Sequence, residues 1–152
     1  MPCILLTGAT GYIASHTWLA LQEAGFDVVG IDSLVNSSVK VLDRIETIGR
    51  RAPHFVQGDV RDAAALDRCF ELARTRFGGI QAVVHFAALK AVGESVERPL
   101  DYFENNLGGL LSVCQAMKRH GVNNLVFSSS ATVYGSPDTL PITEDAPLRV
   151  TN

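Results

Sequence analysis

The chain has 152 residues, 47% of them hydrophobic and 19% charged, and a formal net charge of -3; this suits one domain, which at such a size hides roughly two thirds of its chain surface on folding. The apolar content is too high for disorder and nowhere continuous enough to cross a membrane, and the acidic balance lacks the concentrated Lys and Arg that nucleic acid would require. Cys3, Cys69 and Cys114 are odd in number, too far apart for a zinc knuckle and set in apolar stretches, and no signal segment precedes the first strand, so the expectation is a reduced, cytoplasmic protein with core thiols and no metal site.

Short β-branched runs alternate with segments of helical period. That pattern predicts an α/β fold, a doubly wound parallel sheet of Rossmann type with helices on both faces. The first expected strand is Cys3 to Thr7, followed by Gly8-Ala9-Thr10-Gly11 and a helix from Tyr12 to Ala24. A strand, glycines and a helix start leave backbone N-H groups free where the dipole favours an anion such as a pyrophosphate. Gly8 permits the tight turn and Gly11 removes a Cβ where a phosphate must come close. Ala14 stands where a third glycine would let helix and strand pack tightly, so the helix is expected to sit slightly outward. An ordinary tight βα turn would carry the same glycines.

The next strand, Asp27 to Ile31, ends beside Asp32, about twenty residues past the turn, where a carboxylate can accept both adenosine ribose hydroxyls. This favours NAD over NADP, because a 2'-phosphate would be repelled and the closest cation is Lys40. The alternative for Asp32 is a solvated strand end or a helix cap. A helix from Val39 to Gly49 and a strand from His54 to Gln57 lead to Asp59, in Gly58-Asp59-Val60. Asp59 either accepts from an adenine amino group or caps the following helix, Ala63 to Phe77.

A strand from Ala82 to Phe86 comes next, and then one long helix from Leu100 to His120. Its stripe of Leu107, Leu110, Leu111, Cys114 and Met117 is expected against the sheet. The last strand runs from Asn124 to Ser128. Gly25, Gly49, Gly78 and Gly121 stand where helix C-caps belong. Residues 136–152 carry Pro137, Pro141 and Pro147 without sustained period, so they read as loop or linker after a domain of residues 1–135.

Five ordered blocks now stand out: Thr7-Gly8-Ala9-Thr10-Gly11-Tyr12-Ile13; Asp32-Ser33-Leu34-Val35-Asn36-Ser37; His85 to Ser95; Asn105-Asn106; and Phe127-Ser128-Ser129-Ser130-Ala131-Thr132-Val133-Tyr134-Gly135. In these the chain resembles the extended short-chain dehydrogenase/reductase superfamily and, within it, the NAD-binding part of the UDP-glucose 4-epimerases. Dehydratases of that superfamily carry Thr-Asp-Glu where this chain has Ser130-Ala131-Thr132. Elimination of water needs a further acid and base, which Ala131 and Thr132 do not provide.

The resemblance implies interconversion of UDP-hexoses through a transient 4-keto sugar, with NAD reduced and reoxidised in place. It implies that Tyr12 and Ile13 touch the pyrophosphate, that Asp32, Ser33, Leu34, Val35, Asn36 and Ser37 surround the adenosine ribose and phosphates, and that Asp59 and Val60 border adenine. Phe86, Ala87, Ala88, Leu89 and Lys90 would pass under the cofactor, with Lys90 near the nicotinamide ribose and Asn105 holding its helix against that loop. Ser130 would hydrogen-bond the reacting sugar hydroxyl. Structural alternatives are a solvated loop cation for Lys90 and a turn-capping hydroxyl for Ser130.

The superfamily places its catalytic base in Tyr-x-x-x-Lys, and no such pattern occurs in the 152 residues; the place four beyond Tyr134 is Asp138. The expectation is a chain that stops before the sixth strand and the substrate domain, binds NAD weakly, and does not epimerise UDP-hexose alone at a useful rate. A free-standing NAD-binding module without catalysis, or part of an epimerase acting on another nucleotide sugar, remain the alternatives. Apolar surface left at the sheet edge would favour self-association, as a homo-oligomer or with a complementary C-terminal segment.

Overall fold

Side chains along strand β1 (Cys3–Thr7) are buried on both faces of a sheet. Cys3 and Leu5 enter one core with Val29, Ile31 and Val83, while Ile4 and Leu6 enter a second with Val28, as the two-residue period of a strand requires. In this computed structural model, which describes residues 1–149 and only the backbone of Ala131, β2 (Asp27–Asp32), β3 (His54–Gln57), β4 (Ile80–His85) and β5 (Asn124–Phe127) complete the sheet. All pairings are parallel, in the order β3-β2-β1-β4-β5. The helices are α1 (Tyr12–Glu23), α2 (Lys40–Gly49), α3 (Ala63–Phe77), α4 (Val92–Glu97), α5 (Pro99–Phe103) and α6 (Gly109–Arg119).

One core is closed by Leu66, Cys69, Phe70 and Ala73 of α3 with Val113, Ala116 and Met117 of α6. The other is closed by Trp18 of α1 and Ile45 of α2. The expected doubly wound layering is therefore present. Trp18 is fully buried because β2 carries Gly30 beneath it, where any Cβ would collide with the indole. Burial pushes the thiols of Cys3 and Cys69 up to about 12.

Several expectations need correction. Helix α2 does not end on a glycine cap: Gly49 is its last residue and Arg50 takes the left-handed conformation, with φ 54°. Gly49 instead faces α1, where a Cβ would meet the flexible end of the Gln22 side chain and lie 3.3 Å from Leu19 Cδ2. The segment before Pro99 is helical as α4, which has no buried residue and so gives no apolar period to read. The long helix expected over Leu100 to His120 is present without a break from Pro99 to Arg119, but α5 and α6 within it are separated by a π-helical turn at Glu104–Gly108.

The residues of that helix facing the core also differ from the expectation. Met117 is buried as expected and Leu110 is half-buried, but the other buried positions are Gly109, Val113 and Ala116, whereas Leu107 and Leu111 are 54% and 62% exposed and Cys114 is exposed. Small residues face inward because the helix runs close: a Cβ on Gly109 would lie 3.0 Å from Val60 Cγ2. Strand β5 is likewise exposed along its length, so the sheet is covered on both faces at its centre but not at this edge. Among residues 136–149 no helix or strand occurs, and residues 150–152 of the expected linker lie outside the described residues.

Candidate cofactor site

The glycine turn, Asp32, the Gly58-Asp59 loop, the Phe86 to Lys90 loop and Ser128 to Ser130 all follow C-terminal ends of parallel strands. Chain order reverses between β1 and β4, where a crevice opens in such sheets. Gly8 has φ 63°, and a Cβ on it would stand 2.9 Å from the Ala87 nitrogen, so the turn and the loop after β4 touch backbone to backbone. Gly11 has an ordinary φ of -68° and caps α1 without a side-chain bond; a Cβ there would meet only the Gly8 carbonyl, at 3.1 Å. That contact is tight, so a side chain there would require the glycine turn to give by a few tenths of an ångström. Tyr12 and Ile13 are 81% and 55% exposed beside it, and Ala14 is buried.

Asp32 is 9% exposed and organises the adenosine-side loop through three donors. Its Oδ1 accepts from the Leu34 N-H at 2.8 Å and the Ser37 hydroxyl at 3.0 Å. Its Oδ2 accepts from the Thr10 N-H at 3.1 Å. The first bond closes an Asx turn, and Leu34 stands at φ 62°. Ser33, Val35 and Asn36 are exposed along the rim. Thr10 was not singled out in the sequence, although its Oγ1 lies 2.7 Å from Ser37 Oγ and ties the glycine turn to this loop.

Asp59 closes a local turn and forms an ion pair, and does not cap α3. It accepts from the Arg61 N-H at 2.8 Å and from Arg61 Nη2 at 2.6 Å, and that guanidinium holds its carboxyl below the usual range. The α3 N-cap itself is Asp62, which accepts from the Ala64 N-H at 2.9 Å. Val60 turns its side chain into the core, so only its backbone faces the site.

Toward β4, Thr7 Oγ1 accepts from the N-H groups of Phe86 and Ala87, both at 3.1 Å. Its own proton is therefore directed to Nδ1 of His85, 2.7 Å away, which assigns the His85 proton to Nε2. His85 is 2% exposed, and burial holds its imidazolium pKa down. The grip on the loop expected of Asn105 is made by Asn106, whose Oδ1 accepts from the Leu89 N-H at 2.8 Å while its Nδ2 donates to the Leu89 carbonyl at 2.9 Å. Asn105 donates to that same Oδ1 at 2.9 Å. A π-helical turn at this point sets the two amides side by side, a device often found where a helix serves a site.

Ala88 and Lys90 are exposed, and among the described residues Lys90 has no hydrogen bond or ion pair. Ser130 lies past β5 and accepts from the Thr132 N-H at 3.2 Å, capping the 3-10 turn Ala131–Tyr134. Tyr134 is half-buried there. The structure thus gathers Gly8, Gly11, Asp32, Ser37 and Phe86 to Leu89 along the C-terminal edge of the sheet and adds Thr7, Thr10, His85 and Asn106. Thr7 and Thr10 could have been noticed as hydroxyl residues bracketing the first glycine. Nothing in sequence distinguishes Asn106 from Asn105.

The chain matches the model of the NAD dependent epimerase/dehydratase family over residues 4–152. It belongs to that family. Members similar to it include UDP-glucose 4-epimerases of Bacillus subtilis and Dictyostelium discoideum, each 50% identical over 149 residues, which are 98% of this chain and 42% of the relative. The chain therefore spans less than half the length of these curated relatives. Among solved structures, the UDP-glucose-4-epimerase of Stenotrophomonas maltophila with bound NAD and formylated UDP-arabinopyranose superposes with a TM-score of 0.89 at 47% identity, over 98% of this chain and 43% of that one. The enzyme of Bifidobacterium longum in complex with NAD+ and UDP gives 0.88 at 46% identity, over 97% of this chain and 42% of that one. Among the described residues of this family member, no helix is long and apolar enough to cross a membrane.

Proposed function

We propose that the chain is the NAD-binding part of a UDP-glucose 4-epimerase, a cytoplasmic isomerase acting on UDP-hexoses, with residues 1–135 as the cofactor-binding unit. The observation that carries this is the pairing of a glycine turn at the start of α1 with a carboxylate, Asp32, pinned by three donors at the end of the neighbouring strand. The donor set fits the cofactor: backbone N-H groups at a helix start suit a pyrophosphate, and a fixed carboxylate suits ribose hydroxyls. Its resemblance to structures holding NAD supports the same assignment.

Gly8, Gly11, Tyr12 and Ile13 would hold the pyrophosphate, Asp32 to Ser37 the adenosine ribose, and Asp59 with the Val60 backbone the adenine. Phe86 to Lys90 and Asn105 would border the nicotinamide half. When bound, NAD supplies a reversible hydride acceptor. In the intact enzyme Ser130 would hydrogen-bond the reacting sugar hydroxyl, its side chain acting as both donor and acceptor. A neutral His85 keeps the loop from Phe86 to Ala87 on its two Thr7 bonds, and the Asn106 clamp holds Leu89.

The 152 residues contain no Tyr-x-x-x-Lys, so this chain by itself is expected to bind NAD without turning over UDP-galactose. Loss of a general base forfeits about a hundredfold to ten-thousandfold in rate. A rise in melting temperature on adding NAD, without conversion of UDP-galactose, is the result expected. No rise with NAD would overturn the assignment, and measurable conversion would overturn the inactivity.

A further inference from the structure

We infer that Thr10 is a positioning residue that fixes the Asp32 carboxylate and thereby sets the preference for a ribose diol over a 2'-phosphate; this rests on the NAD-binding reading above. Proton accounting gives the direction of each bond. A carboxylate only accepts, so the single proton of the Ser37 hydroxyl goes to Asp32 Oδ1, 3.0 Å away. Thr10 Oγ1 lies 2.7 Å from the same Ser37 oxygen, which must then accept, and Thr10 must donate. Thr10 therefore reaches both carboxylate oxygens, Oδ2 through its N-H at 3.1 Å and Oδ1 through Ser37. It is 3% exposed, so water offers its hydroxyl little alternative.

Two consequences concern the ligand. With the Leu34 N-H and the Ser37 hydroxyl on Oδ1, the lone pairs of that oxygen directed at the loop are in use, and Oδ2 keeps one free. Asp32 then presents one acceptor to the adenosine ribose, where the sequence suggested two. A carboxylate held at both oxygens also resists turning away from a 2'-phosphate, and an unrelieved like charge is what rejects NADP.

Thr10→Val keeps the shape of the side chain and removes the donated proton. Calorimetric titrations of the 152-residue chain with NAD and with NADP are expected to show about a tenfold loss of NAD affinity, the size of one hydrogen bond feeding a charged group, together with a narrower NAD-to-NADP ratio. Thr10→Ser is expected to restore both. Ser37→Ala should lose at least as much without touching the glycine turn, and the double variant should lose no more than Ser37→Ala alone, since both break the same relay. Should Thr10→Val fail to fold, Ser37→Ala carries the same expectation by itself.

An unchanged NAD-to-NADP ratio in Thr10→Val, or in Ser37→Ala where it is the variant that folds, overturns the inference while NAD binding by the parent chain stands. Additive losses in the double variant do the same. Absence of NAD binding by the parent chain overturns both this inference and the reading beneath it.

Discussion

Thr7 Oγ1 stands 2.7 Å from His85 Nδ1, joining the ends of β1 and β4 directly beneath the turn at Gly8. Because Thr7 already accepts two N-H groups from the following loop, His85 must be neutral to receive its proton. A charged imidazolium would present a second donor to an oxygen with no lone pair to spare.

The pH dependence follows from burial, which lowers the His85 pKa from its ordinary 6.5. Between that lowered value and 6.5 the unfolded chain binds a proton that the folded chain does not, so stability rises with pH there. The contribution is fully present above pH 6.5 and is lost as pH falls toward the folded pKa, at no more than about 1.4 kcal/mol per pH unit for one proton. Melting temperatures measured at pH 7.5 and 5.5 should differ in this direction, and His85→Gln should shrink the difference. An undiminished difference in the variant would contradict the assignment.

Gly8 and Gly11 should separate folding from binding. Gly8→Ala combines left-handed backbone, about 1–2 kcal/mol, with overpacking against the Ala87 nitrogen 2.9 Å away, about 1–3 kcal/mol. At about 2–4 °C per kcal/mol, its melting temperature should drop clearly. Gly11→Ala meets only one carbonyl oxygen, at 3.1 Å, and should melt within a few degrees of the parent while losing about tenfold or more in NAD affinity. Parallel melting and titration of the two variants check this. The reverse pattern would mean that Gly11 is structural and the space before α1 holds no phosphate.

The layering of the sheet and the position of Asp32 were legible because strand period and glycine turns are local features. Side-chain direction on the helix after Pro99 was not. Leu107, Leu111 and Cys114 repeat as regularly as Gly109, Val113 and Ala116, and only the close approach of Gly109 to Val60 selects the second set for the core. Gly49 misled for a similar reason: its approach to α1 is a contact between two helices, invisible to a reading of caps. Asn106 took the role expected of Asn105 because a π-helical turn shifts which amide meets Leu89, and sequence carries no clear mark of such a turn.

The outward set has its own consequence. Leu100, Phe103, Leu107 and Leu111 lie three and four residues apart and are all exposed, an apolar stripe of a kind that usually marks an interaction surface. The chain is expected to self-associate at micromolar concentration, and Leu107→Glu with Leu111→Glu should shift it toward the 16.4 kDa monomer. Light scattering reads the mass directly, and a monodisperse monomer of the parent chain would contradict the expectation.

The proposed affinity for NAD rests on the glycine turn and the pinned Asp32 together. Isothermal calorimetry on folded protein tests it most directly, comparing the parent chain with Asp32→Ala. A saturable heat with NAD, a much weaker one with NADP, and about a tenfold or greater loss of NAD affinity in the variant are expected. A parent chain that gives no heat with NAD, or an Asp32→Ala chain that binds as tightly as the parent, would contradict it.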